Sequence, residues 1–391
     1  MNFKEKLQNI RHILYRFKSS ILHNSGVGKA LRQALWKVAD ESDGLKMIVD
    51  IPQTGFLYHT LNHIADEKIR AMFTWENKTY CKQYDRVFEV RAPIIIEPSH
   101  SLAFTAINRR FVVQTRSKAH EYLVPSIFKY TLHRLIKNSY TYYPVLIHFD
   151  GFIGRNIYHF VDESINPLLY LLRTNLLGLN IPLLINENVH RLPYVQYILS
   201  LPEFSNLVWV VQKPGEWIKT DCLYKCITEF DGWKDAYNFF SKHTNKNPHR
   251  RVFLNRKPRF QRRLINNEAI EAIVREQGFE VIYAEDLTYA QQVALFAEVK
   301  YFVSMHGGGV TNLIHSDLSQ IGVIEIFAEG LVHPHYYWLL EALQVHYYDA
   351  VMGSELDVNW NYSVDEGVFK DRLTAMLQED NSSAKSSRGL A

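Results

Sequence analysis

Between residues 251 and 350 short apolar runs alternate with amphipathic stretches, and that alternation limits the fold more than any other feature of the chain. RVFLN (251–255) reads as a strand. NEAIEAIVREQ (267–277) reads as a helix with Ile270, Ile273 and Val274 inward, closed by Gly278 as its cap. FEVIY (279–283) is the next strand, and Thr288 with Gln291 forms a capping-box pattern opening a helix that reaches Val299. A strand at 300–304, a glycine turn with its own helix, the strand GVIEIF (322–327), a helix from His335 to Leu343 and a last strand near His346 complete the series. Strands and helices alternating at this spacing predict a Rossmann-like α/β domain. Right-handed crossovers then bring the carboxyl ends of its strands to one edge.

The densest chemistry lies at that edge, in KYFVSMHGGGVTNLIH (300–315). The apolar run ends in His306, followed by Gly307, Gly308 and Gly309 and then by Thr311 and Asn312. Glycines allow the backbone to approach a ligand closely and to adopt positive φ, while the first amides of the next helix point with its dipole toward an anion. A histidine donating to a phosphate oxygen suits a nucleotide diphosphate. The turn is not GxGxxG and follows the third strand of its domain, which disfavours an NAD-linked oxidoreductase.

Further candidates share the edge. LNRKPRFQRRLINNEA (254–269) leaves the first strand carrying Arg256, Lys257, Arg259, Arg262 and Arg263, with no acid before Glu268. Guanidinium forks match phosphate oxygens, so at least two of these basic residues are expected on a diphosphate, Arg256 and Arg263 foremost. Glu325 interrupts the apolar strand VIEIF. A carboxylate there is costly unless paired or open to a ligand, and it fits either two ribose hydroxyls or a neighbouring basic residue. Earlier in the chain, GFIGRNIYHFVDESINPLLYLL (151–172) places His159, Asp162 and Glu163 near a helix start, with 159 and 163 one turn apart. The pair fits a general base at an interdomain cleft or a plain helix-capping arrangement.

The rest of the chain frames these clusters. Net charge is +3, which argues against nucleic acid as a partner, yet Lys4 to Lys37 holds eight basic residues against one acid, Glu5. Leu7, Ile10, Leu14, Phe17 and Ile21 form one stripe, so residues 1–42 are expected to form an amphipathic extension. Its 4–22 segment lies either on an anionic membrane surface or against its own domain or a partner protomer of a homo-oligomer. PVLIHF (144–149), IPLLI (181–185) and LVWVV (207–211) suggest a second, mostly parallel α/β domain over 43–244. The polar stretch Ser241 to Pro248 links it to the 245–355 domain; a helix is expected to 379 and a disordered, Ser- and Lys-rich tail over 380–391. Only Cys81, Cys222 and Cys226 are present, too few for a disulfide framework or an all-cysteine zinc site, and no run reaches the ~18 apolar residues of a spanning helix. A cytoplasmic protein is expected, peripheral on the membrane if the 4–22 helix touches lipid.

Together these clusters resemble glycosyltransferase family 61, which includes plant xylan-decorating transferases, animal protein O-mannose and O-GlcNAc-type transferases and bacterial capsule-associated members. The resemblance covers residues 145 to 350. It is most specific in Arg256, RLINNEA (263–269), AQQVALFAEVKYFVSMHGGGVTN (290–312) and VIEIF (323–327). Gly308 stands where the family shows a small residue after the first glycine of its HGA motif. Tyr158, His159, Glu163 and Pro167 resemble its aromatic-His, acid and proline segment, with the spacing to proline one longer and Asp162 competing with Glu163.

The resemblance implies a GT-B architecture of two Rossmann-like domains facing across a cleft. It further implies an inverting, metal-independent transfer of a sugar, without a cofactor, from a nucleotide-sugar donor, UDP-linked by preference, to a glycan or glycolipid acceptor in surface polysaccharide synthesis. The residues agree on one point: no DxD-like pair stands at the glycine edge, and arginines with a helix N-terminus can neutralise a leaving diphosphate. Transfer of pyruvate to a polysaccharide and a non-catalytic glycan-binding scaffold are the rival readings.

Overall fold

The computed structural model describes residues 39–53, 64–76, 83–112, 129–149, 156–175, 180–228, 231–257 and 262–388. The expected 4–22 helix lies outside them, as does Arg259.

The second half follows the pattern read from the sequence. Strands β8 (Arg250–Asn255), β9 (Glu280–Tyr283), β10 (Val299–Met305), β11 (Gly322–Glu329) and β12 (Tyr347–Glu355) form one sheet in the order β12-β11-β10-β8-β9, every neighbouring pair parallel. Its local signals act as read: Thr288 and Gln291 close a capping box, and Gly278 ends the preceding helix at φ 75°. Side chains alternate across the sheet, and both faces are buried, as a parallel sheet requires. Phe253, Val303 and Ile324 face Ile270 and Val274 of α5 (Asn267–Glu276) and Phe369 and Leu373 of α8 (Glu366–Arg388). Val252, Phe302 and Val323 face the other way.

Three expectations change. The helix α8 runs on through Arg388 where a disordered tail was expected from 380; after Gly367 in its first turn, neither proline nor glycine interrupts it before Gly389. The segment after the glycines, Gly308–His315, winds as a 3-10 helix instead of an α-helix. The first sheet is only half parallel. It runs β1-β2-β7-β4-β5-β6, with the short β3 (Ala103–Thr105) beside β2. β7 (Ile218–Ile227), β4 (Thr141–His148), β5 (Leu183–Asn186) and β6 (Trp209–Gln212) are parallel, but β1 (Leu45–Gln53) and β2 (Gln83–Ile96) are antiparallel additions. The helix between those two, α1 (Glu67–Glu76), does not serve as a crossover over its own sheet. Its Phe73 instead stacks on Tyr337 at 5.0 Å and meets Phe327 edge-on, both in the second half of the chain. A parallel pair needs a crossover, whereas an antiparallel one does not.

The halves are fused by one core. Ile147, Leu183 and Ile185 of the first sheet belong to the same buried cluster as Val252, Phe302 and Val323 of the second. Between them pack α3 (Pro193–Leu199), α4 (Asp231–Lys242), α6 (Tyr289–Ala297) and α7 (His335–Ala342). Tyr197 of α3 meets Tyr289 of α6 edge-on at 5.2 Å, and Phe240 of α4 meets His315 at 5.0 Å.

Candidate functional site

The order β12-β11-β10-β8-β9 sends the chain from β8 to one side and from β10 to the other. That reversal opens a crevice at the carboxyl ends of β8 and β10, where doubly wound sheets bind ligands. A cavity of about 530 Å³ occupies it. Leu254, Asn255 and Arg256 enter from β8, Ser304 and Met305 from β10, Ala284 and Glu285 from the end of β9, and Gly308 and Gly309 from the turn. Arg262 completes the wall.

Arg256 is fixed in place. Its Nη1 donates to the Arg262 carbonyl at 3.1 Å and its Nη2 to the His306 carbonyl at 2.6 Å. Burial, and then the nearby Arg262, draw its pKa below the usual guanidinium value. Both effects penalise the cation and both are relieved by an anion in the cavity.

The glycines have a different reason from the one expected. None adopts a left-handed φ. A side chain on Gly307 would collide with the Arg256 guanidinium, and one on Gly309 with Leu254. A Cβ on Gly308 would lie 3.0 Å from Asn156 Oδ1, so the first half of the chain also closes on this turn. Close approach, not backbone strain, selects glycine here.

Beyond the turn the expected ligand residues turn inward. Thr311 and Asn312 are buried, and Asn312 Nδ2 donates to Gln292 Oε1 of α6 at 3.0 Å. Asn312 seats the 3-10 helix on its neighbour, and neither residue is among those lining the cavity. Arg263 is not a lining residue either: Arg262 sits at φ 59°, and the chain then runs alongside residues 360–362, with Arg263 N–H toward Asn361 Oδ1 at 3.4 Å. Lys257 is held by Asp286.

Glu325 is closed to ribose. His306 Nδ1 bonds its Oε1 at 2.6 Å and Tyr348 OH donates to its Oε2 at 2.8 Å; its side chain is 1% exposed. A carboxylate so buried needs both partners, and the cheaper solution is the basic neighbour the sequence also allowed. The His306 ring stacks on Phe327 at 4.8 Å and packs against Tyr336 at 5.2 Å.

A second wall comes from helix α2, which runs as Ile157–Phe160, a π-helical turn Val161–Ile165 and Asn166–Thr174. Asn166 N–H reaches back five residues to the Val161 carbonyl. Pro167 has no N–H to continue an α-helical ladder, so the wider turn has a local cause. Asn156 caps α2 by accepting from Tyr158 N–H at 2.9 Å. His159 Nδ1 bonds Glu163 Oε1 at 2.9 Å, while Asp162 accepts from Trp233 Nε1 at 3.1 Å. Of the two acids, Glu163 bonds His159 and Asp162 accepts from Trp233.

The walls meet through aromatic rings, and of these His333, His335 and Tyr336 were not singled out as site residues from the sequence. Tyr158 packs edge-on against Tyr336 at 5.3 Å and lies 6.1 Å from His335, and His333 lies 6.1 Å from His306. The signal was the run HPHYY after β11, at the carboxyl edge already singled out. Among the described residues no group of three or more His, Cys, Asp or Glu is arranged to hold a metal ion, and no helix is long and apolar enough to cross a membrane.

Residues 157–319 match the family model described as Glycosyltransferase 61. The matched segment opens on α2, includes β8 and closes just after the glycine turn, so it contains both walls. It defines the class: the protein is a glycosyltransferase. Residues 157–319 carry a glycosyltransferase family 61 domain. No match was found among curated proteins.

Proposed function

We propose that the crevice between β8 and β10 receives the diphosphate of a nucleotide-sugar, UDP-linked by preference, and that the sugar passes with inversion to a glycan or glycolipid hydroxyl presented from the α2 side. The carrying observation is the cavity at the reversal of strand order, with Arg256 and Arg262 on its wall and a side-chain-free turn across from them. His159 is the general base. With a proton on Nδ1 directed to Glu163, its Nε2 is free to take the proton of the acceptor hydroxyl. The oxygen forms the new bond to the anomeric carbon as the bond from that carbon to the phosphate oxygen breaks. The electron pair leaves with the nucleoside diphosphate, whose charge the two guanidinia neutralise without calling on a cation.

A GT-B arrangement is supported by the approach of Asn156, the cap of α2, to Gly308, just beyond the carboxyl end of β10. Work at the cytoplasmic face of a membrane, in surface polysaccharide synthesis, is the setting we propose, with the basic 4–22 segment as the contact.

Thermal unfolding against UDP, GDP, CDP and ADP tests the donor reading, because a ligand of the native state alone raises the midpoint by mass action. A rise with one of them that survives EDTA is the expected result. No rise with any of them overturns the reading, and a rise abolished by EDTA overturns its metal-independent part.

A further inference from the structure

We infer that Glu285 is the carboxylate that binds the ribose hydroxyls of the donor nucleotide. The inference rests on the donor-site reading of the cavity and adds to it a recognition element. Glu285 is the only carboxylate among the described residues lining that cavity. An acid beside two guanidinia weakens the binding of a bare anion, so its place there calls for a ligand that also offers hydrogen-bond donors. A nucleoside diphosphate offers both: an anionic diphosphate and a pair of adjacent hydroxyls.

The geometry separates the two recognition tasks. Glu285 follows β9, the glycine turn follows β10, and β8 with Arg256 runs between them. Neighbouring strands lie about 4.8 Å apart, so the two flanking strand ends stand on the order of 10 Å from each other. Diphosphate against the glycine turn and Arg256 thus leaves the sugar of the nucleoside on the β9 side. Glu285 is anchored by one oxygen: Oε1 accepts from Lys257 N–H at 3.1 Å. The Lys257 ammonium is directed to Asp286 instead, and among the described residues Oε2 accepts no hydrogen bond. Glu325, the acid within β11, has both oxygens occupied and is buried.

The test measures dissociation constants of the full chain for three probes: the nucleoside diphosphate that binds best among UDP, GDP, CDP and ADP, its 2′,3′-dideoxy counterpart, and inorganic pyrophosphate. Glu285→Ala should weaken the ribonucleotide about tenfold or more, as expected for a charge-assisted hydrogen bond, and leave pyrophosphate equal or tighter. Removing the hydroxyls should cost the wild type a similar factor and cost the variant nothing further. Glu285→Gln, which keeps the size of the exposed side chain, should lie between. Ribonucleotide binding unchanged in Glu285→Ala overturns the proposal alone. So does an equal loss for ribonucleotide and pyrophosphate, which would mean that Glu285 acts only by holding the arginine loop through Lys257. Failure of every nucleoside diphosphate to bind the wild type overturns the donor reading and this proposal with it.

Discussion

Two histidine–glutamate pairs flank the site, alike in their atoms and unlike in their depth. His306 and Glu325 are joined at 2.6 Å with side chains 11% and 1% exposed; His159 and Glu163 are joined at 2.9 Å with side chains 32% and 11% exposed. The first carboxylate has a second partner in Tyr348, and its histidine is stacked on Phe327, so the pair is a fixed strut under the glycine turn. The second pair sits on a π-helical turn with its imidazole partly open, so it can exchange a proton with a ligand. Depth, more than the identity of the groups, separates a support from a candidate catalyst.

The sharpest way to break this comparison is to remove the open histidine. His159→Ala should lower kcat about 10²- to 10⁴-fold, the range for loss of a general base, with the melting temperature nearly unchanged. Glu163→Gln should lower kcat less and change its dependence on pH, because the imidazole keeps its place and loses its charged partner. Normal turnover by His159→Ala would move the proton transfer elsewhere.

The buried pair should answer in the opposite sense. Glu325→Ala strands His306 and Tyr348 without their acceptor and should cost about 3–5 kcal/mol of stability, the range for breaking one side of a buried pair. Denaturant unfolding measures it. A loss below about 1 kcal/mol would place this pair with the exposed ones.

A third histidine sharpens the contrast. His315 is buried without an acid, its Nε2 bonded to Tyr289 OH at 3.0 Å; burial, and to a lesser extent Lys246, draw its pKa from 6.5 down to about 3. The folded protein keeps it neutral while the unfolded chain protonates it. Its contribution to stability is therefore complete above pH 6.5 and is lost as pH falls toward 3, by about 1.4 kcal/mol per pH unit. His315→Gln should flatten that slope in unfolding titrations between pH 4 and 7.

The sequence made the second sheet legible because its signals are local: the capping box at Thr288 and Gln291, the left-handed Gly278, the glycine turn at a strand end. Long-range choices were not legible. Nothing near Glu325 in the chain announces Tyr348, and nothing in a run of arginines tells that a left-handed Arg262 puts itself, and not Arg263, on the cavity wall. Likewise nothing near α1 in the chain tells that Phe73 packs on Tyr337. The glycines were found for a reason only half right, since space for Arg256 and Asn156 selects them and backbone freedom does not.

The core shared by the two sheets has a consequence for how such a protein can be divided. Tyr289 and His315, which pack on Tyr197 and Phe240, would be uncovered in a fragment holding the second sheet alone, and so would Tyr197 and Phe240 in its counterpart. Cutting the chain at the 241–248 segment therefore yields two aggregation-prone pieces instead of two working modules. Exchange of halves between homologues is restricted to pairs whose buried faces fit.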